Sequence, residues 1–274
     1  LLSLSDRDMQ GIRGRRIGFV FQEPSTALNP VFTIGSQIAE GVRLHYDVSR
    51  REARDRACEL LERVAIPQPV RRMKSYPHEL SGGQRQRVMI AIALSAQPDL
   101  LIADEPTTAL DVTVQAEVLA LLEELRSELG LGVLLITHDL AVVAQTCDRA
   151  FVMYAGEVVE AASVEGLFAD PRHPYTRGLL EVVPRLGSVP ATDGRLPVIP
   201  GGIPAPGDLP AGCVFEPRCS EAFERCSGGR PRSISVDTDR RVACFLHDPD
   251  VAPPESARAN RKSGSGAQSP GGKE

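Results

Sequence analysis

The sequence predicts an α/β fold in which a parallel sheet is flanked by helices. Three observations carry that expectation. Short, uniformly apolar runs (Ile17–Phe21, Leu100–Ala103, Val133–Thr137) have the composition of strands buried on both faces rather than the alternation of a half-exposed antiparallel sheet. Segments with helical periodicity separate them, and strand–helix–strand order favours parallel pairing. From about Asp170 the periodicity stops and prolines and glycines take over, which marks a small irregular appendage.

Residues 1–16 read as polar turn or helix. The first strand, Ile17–Phe21, runs to Gln22, and Glu23–Pro30, with two prolines, is a loop. Ser49 and Glu52 have capping-box spacing and open a helix to about Val64; Ala53, Ala57, Leu60, Leu61 and Val64 form its apolar stripe, and Pro67 and Pro69 end it. Ser81 and Gln84 repeat the capping box ahead of a helix over Gln84–Ala96. After Leu100–Ala103 comes a helix over Val112–Leu129, stopped by Gly130 and Gly132. Val133–Thr137 is followed by a short helix over Leu140–Gln145, and Ala155-Gly156-Glu157 links two strands as a hairpin. The expected domains are residues 1–170, with a helical subdomain over about 33–95, then 171–248, then a disordered tail over 249–274.

Size and composition narrow the function classes. A chain of 274 residues with 42% hydrophobic content builds a sizeable core; it has no apolar run of eighteen residues, and its opening residues are not expected to be a signal peptide. A net charge of −5 weighs against a broad nucleic-acid surface, which needs clustered cations. The absence of tryptophan weighs against an aromatic binding platform.

Two motifs carry chemistry. Leu80–Gln84 (LSGGQ) is a Ser/Gly turn opening a helix. Ser81, Gly82, Gly83 and Gln84 can present backbone N–H groups, a hydroxyl and the positive helix end to an anion. Leu100–Pro106 (LLIADEP) is an apolar strand ending in two carboxylates that point different ways. That arrangement suits Asp104 for a magnesium ion and Glu105 for the proton of an attacking water. His138 follows a second buried strand and can hold a γ-phosphate oxygen and the water in line. Gln22, at the end of the first strand, offers an uncharged ligand to magnesium or water. No G-x-x-x-x-G-K-[ST] phosphate loop occurs in the 274 residues, and the chain opens on Leu1 rather than Met, so an N-terminal piece is expected to be missing.

Cys213, Cys219, Cys226 and Cys244 fall within 32 residues and offer four soft ligands in a segment that otherwise lacks a core. Zinc, an iron–sulfur cluster and metal-free cysteines all fit that spacing, and the lack of a close C-x2-C pair favours a cluster. Cys58 and Cys147 read as small packing residues.

FQEPSTALNP (Phe21–Pro30), LSGGQRQRVMIAIAL (Leu80–Leu94), LLIADEPTTALD (Leu100–Asp111) and LITHD (Leu135–Asp139) resemble the glutamine loop, signature, acidic strand with D-loop, and histidine switch of an ABC ATPase. HPYTRGLL (His173–Leu180) and GCVFEPRC (Gly212–Cys219) resemble the oligopeptide/dipeptide/nickel importer branch. The resemblance spans residues 1–250. It implies an incomplete P-loop NTPase of ABC type that uses ATP and Mg2+ and powers peptide import from the cytoplasmic face of the membrane, as a peripheral subunit. Its implied partners are a second ATPase subunit (a paralogue), transmembrane permease subunits and, indirectly, a solute-binding protein, without nucleic acid. The resemblance also assigns Asp111 to nucleotide binding, favours a 4Fe-4S cluster over Zn2+ in the cysteine box, and places a β-rich segment, an adenine-stacking aromatic and the phosphate loop ahead of Leu1. It implies that these residues by themselves hydrolyse little. A degenerate regulatory subunit and a nucleic-acid- or ribosome-associated ABC ATPase are the competing readings.

Overall fold

A computed structural model describes residues 1–182, 198–205, 207–252 and 254. Most of the Pro/Gly stretch between Pro184 and Pro210, and nearly all of the tail expected at 249–274, lie outside the described residues. The chain divides into two compact units, Leu1–His138 and Asp139–Glu274. Among the described residues no helix is long and apolar enough to cross a membrane.

The first unit runs α1 (Asp6–Gln10), β1 (Ile17–Val20), α2 (Pro24–Ala27), α3 (Ile34–His45), α4 (Arg50–Arg63), α5 (Pro69–Arg72), α6 (Gly82–Ala93), β2 (Leu100–Asp104), α7 (Val112–Leu129) and β3 (Gly132–Ile136). Side-chain caps start the longer helices: Thr33, Ser49, Ser81 and Asp111 each accept a hydrogen bond from the backbone N–H three residues on. Helix α6 begins two residues before the predicted Gln84, because the Ser81–Gln84 capping box encloses both glycines in the first turn. Gly130, left-handed at φ 62°, closes α7.

Strands β1, β2 and β3 form a parallel sheet in that spatial order. Phe19 pairs with Ile102, which pairs in turn with Leu134, and Val20 pairs with Ala103, which pairs with Leu135. Because the three strands run parallel and in register, Gln22, Asp104-Glu105 and His138 all emerge at one edge, the C-terminal edge where α/β folds bind ligands.

Val20, Leu101 and Ala103 are fully buried, in one core with Ile34, Ile38, Ile90 and Leu125. Gly18 lets the sheet approach α6 closely: a Cβ there would lie 2.6 Å from the Ala93 carbonyl oxygen. The other face differs from the reading that both faces are covered. Phe19, Leu134 and Ile136 remain 39, 43 and 44% exposed. Apolar composition reports that a face is suited to burial, whereas among the described residues of this unit the packed core lies on only one side.

The second unit holds α8 (Leu140–Thr146), β4 (Arg149–Tyr154), β5 (Glu157–Ser163), α9 (Val164–Ala169), α10 (Pro174–Val182), α11 (Glu224–Ser227), β6 (Ile234–Asp237) and β7 (Arg240–Val242). The β4–β5 hairpin turns on Ala155 and Gly156, both at positive φ (48° and 84°), as a tight primed turn requires. The cysteine-bearing segment adds strands to this hairpin: the antiparallel sheet has the order β4-β5-β7-β6. Val152, Tyr154, Val159, Leu167, Phe215 and Phe245 build the core of this unit.

Candidate active site

At the C-terminal edge of the parallel sheet, Glu105 is the centre of the arrangement. Its Oε2 accepts hydrogen bonds from Gln22 Nε2 at 2.9 Å and from the Thr108 hydroxyl at 2.8 Å, and its Oε1 lies 3.1 Å from His138 Nδ1. The carboxylate can only accept, so the hydrogen of that last contact sits on Nδ1. The Thr108 hydrogen bond, then that of His138, the charge of His138 and the Gln22 amide hold the Glu105 carboxyl below the usual carboxylate range against the opposing effect of burial. The group is ionised at neutral pH, as a proton acceptor must be.

The backbone explains how Glu105 reaches this position. Its N–H donates to the Ile136 carbonyl at 2.9 Å, extending the β2–β3 ladder by one residue, and Pro106 then stops the strand. Glu105 itself adopts φ 42°, in the left-handed region, at a cost of roughly 1–2 kcal/mol. A turn closed by Thr108 N–H on the Glu105 carbonyl (3.1 Å) offsets it. Such strain concentrates at functional sites.

Asp104, paired with Ile136 at the end of β2, is half-buried and makes no hydrogen bond with another described side chain. The Gln22 amide oxygen is likewise outside the contacts of its own nitrogen. Two hard oxygen donors on adjacent strand ends fit a magnesium ion, which takes one or two protein ligands and fills its other positions with water and phosphate oxygens.

The signature residues share no hydrogen bond with this cluster among the described residues. Ser81 Oγ accepts from Gln84 N–H at 3.3 Å, and Gln84 Oε1 accepts from Ser81 N–H at 3.2 Å. Both side chains are thereby committed to capping α6, whose twelve residues direct a positive end outward. The glycines have a packing role as well. A Cβ on Gly83 would come within 2.4 Å of Val114 Cγ1, and one on Gly82 within 3.4 Å of Leu110 Cδ2. The signature turn therefore sits against the start of α7, where Asp111 Oδ1 accepts from Val114 N–H at 3.0 Å. Arg87 joins α6 to α7 through Glu117 at 3.0 Å.

The cysteine box is corrected by the structure. Among the described residues no group of three or more His, Cys, Asp or Glu side chains is placed to hold a metal ion, which contradicts both the 4Fe-4S cluster and the Zn2+ site expected at Cys213, Cys219, Cys226 and Cys244. All four are free thiols. Cys213 and Cys226 pack with Val214, Phe215 and Phe245, and Cys244 with Val242 and Leu246. Burial raises every one of the four, Cys219 and Cys244 to about 12. These residues serve as small apolar filling, and sequence spacing does not distinguish a ligand set from a core cluster.

Two features of the second unit escaped the sequence reading. Glu160 is fully buried, and its carboxylate accepts the backbone N–H groups of Arg172 (2.9 Å) and His173 (2.8 Å), anchoring the start of α10. His173, 1% exposed, accepts the Tyr175 N–H on Nδ1 at 3.0 Å. In the first unit Thr108 was also missed. Its signal was a hydroxyl three residues beyond Glu105 in a turn that Pro106 enforces.

Comparison with known proteins gives two family matches: "ABC transporter" over residues 2–108 and "Oligopeptide/dipeptide transporter, C-terminal region" over residues 159–226. The chain is 50% identical over 255 residues to the oligopeptide transport ATP-binding protein AppD of Bacillus subtilis, covering 92% of this chain and 76% of that one. It is 55% identical over 246 residues to the oligopeptide transport ATP-binding protein OppD of Mycobacterium tuberculosis, covering 89% of this chain and 40% of that one. Among solved structures, the dimeric post-hydrolysis state of the ATP-binding cassette MJ0796 bound to ADP and Pi matches with a TM-score of 0.53 and 35% identity, over 59% of this chain and 68% of that one.

Proposed function

The chain belongs to the family of ABC transporter ATP-binding proteins, and from that premise we propose that it is the ATP-hydrolysing subunit of a peptide importer, acting peripherally at the cytoplasmic face of a membrane. The observation that supports this most is the ionised Glu105, engaged by Gln22, Thr108 and His138 at the C-terminal edge of a parallel sheet. Peptide as the cargo follows the names of the relatives and the match of residues 159–226 to an oligopeptide/dipeptide transporter region.

In the proposed reaction, a water oxygen bonds to the γ-phosphorus of ATP as the bond from that phosphorus to the β-bridging oxygen breaks and ADP leaves. Glu105 takes the water's proton. His138, whose side chain is 77% exposed, is free to turn and align the water and a γ-phosphate oxygen. Asp104 and Gln22 would hold Mg2+, which when bound would neutralise charge on the phosphates. The 274 residues contain no G-x-x-x-x-G-K-[ST] run, and the reaction needs a loop that cradles the β- and γ-phosphates beside them.

The signature has the complementary task. Ser81, Gly82, Gly83 and Gln84, with Asp111 beside them, present the N-terminus of α6 to the nucleotide of a second ATPase subunit. Permease subunits receive the resulting movement, and a solute-binding protein delivers the peptide. Phosphate release by the subunit assembled with its partners and with a phosphate loop in place tests the reading. Hydrolysis is expected to require Mg2+ and to fall with Asp104→Asn. Nucleotide binding without any hydrolysis would select the degenerate, regulatory reading instead.

A further inference from the structure

Glu105 has two oxygens, and the structure treats them differently. Oε2 takes both the Thr108 hydroxyl (2.8 Å) and the Gln22 amide (2.9 Å), while Oε1 meets only His138 Nδ1, at 3.1 Å. The three donors also differ in origin. Gln22 and His138 come from segments 83 and 33 residues away, whereas Thr108 is three residues from Glu105 in the same turn. Thr108 holds Glu105 twice, through its backbone N–H on the Glu105 carbonyl (3.1 Å) and through its hydroxyl on Oε2. Gln22 and His138 can leave Glu105 when they turn to a ligand, but Thr108 moves with it.

We propose that Thr108 is a positioning residue for hydrolysis, fixing Oε2 of Glu105 so that Oε1 is the oxygen presented to the attacking water. The inference rests on the hydrolytic role of Glu105 given above and adds to it which oxygen receives the proton and which side chain selects it. When His138 swings away, Oε1 is left without a donor and its lone pair is open to the water's hydrogen. Oε2 keeps a hydroxyl donor throughout. One carboxylate oxygen is thus held on the hydroxyl while the other faces the water, and the left-handed backbone at Glu105 (φ 42°) keeps its side chain over this turn.

Steady-state ATP turnover of the assembled ATPase, with a phosphate loop in place, tests this through three variants. Thr108→Val keeps the shape of the side chain and removes the donor. It is expected to lower kcat about tenfold with KM for ATP unchanged, the scale of one hydrogen bond to a charged group. Thr108→Ser restores the hydroxyl and is expected to stay within about twofold of wild type. Glu105→Gln is run beside them. Thermal unfolding of each variant identifies any that fails to fold. Wild-type kcat in Thr108→Val, with Glu105→Gln inactive, would overturn the inference and leave the hydrolytic reading standing. So would equal losses in Thr108→Val and Thr108→Ser, or a loss confined to KM. Retained turnover in Glu105→Gln would reject the hydrolytic reading itself.

Discussion

Glu105→Gln is expected to leave ATP binding intact and to lower turnover by at least roughly a hundredfold, the usual scale for removal of a positioned general base. The substitution keeps the shape of the side chain. Its oxygen can still accept from Thr108 and Gln22, while the new NH2 group takes the place of the oxygen that meets His138 Nδ1 and cannot take a proton. The charge on Glu105 is not needed to hold the nucleotide, because in the proposed reaction Asp104 and Gln22 serve the metal ion. Phosphate release and nucleotide affinity, measured on the same assembled preparation, separate the two effects. Near-normal turnover would remove Glu105 from its role. Loss of binding together with turnover would give it a structural one.

The second large effect concerns His173 and the stability of the second unit. Burial, followed by the charges of Arg177 and His247, lowers the His173 pKa from 6.5 to about 3. The folded protein therefore keeps this ring neutral, with Nδ1 accepting from Tyr175 N–H, while the unfolded chain protonates it near its ordinary value. The unfolded state binds more protons between those two values, so this contribution is complete above pH 6.5 and declines as the pH falls toward about 3. From the ordinary histidine value down to about pH 5 the loss is about 2 kcal/mol. His173→Asn retains an acceptor near the Nδ1 position and cannot titrate. Urea unfolding at neutral pH and at about pH 5 is expected to show the wild type losing about 2 kcal/mol more than this variant. Equal acid sensitivity in the two would contradict the buried neutral ring.

Much of the first unit was legible because its signals are local. The Ser49–Glu52 and Ser81–Gln84 spacings mark helix starts within a few residues of where they occur, although only the second closes as a reciprocal box and Glu52 turns to Arg56 instead. The three apolar runs mark strands, and parallel order brings Gln22, Asp104, Glu105 and His138 to one edge. What was not legible depends on long-range placement. Strands β6 and β7 join β5 across some eighty residues, through the pairing of Val242 with Glu160, and nothing near Val242 announces that partner. The thiols of the cysteine box are a second case, since ligand and core cluster share one spacing and differ only in burial. Thr108 is a third: its role depends on the left-handed turn at Glu105, which propensity does not encode. The open face at Phe19, Leu134 and Ile136 is the converse, a surface whose composition announces burial that the described residues of its unit do not provide.

Coupling of ATP hydrolysis to the movement of peptide is tested most directly by phosphate release from membrane vesicles that contain the ATPase with its permease subunits, titrated with solute-binding protein loaded with peptide. Hydrolysis is expected to rise with loaded binding protein, to stay low with the empty form, and to vanish with Glu105→Gln. Hydrolysis that is indifferent to peptide-loaded binding protein, in vesicles where the assembled complex is otherwise active, would contradict the account.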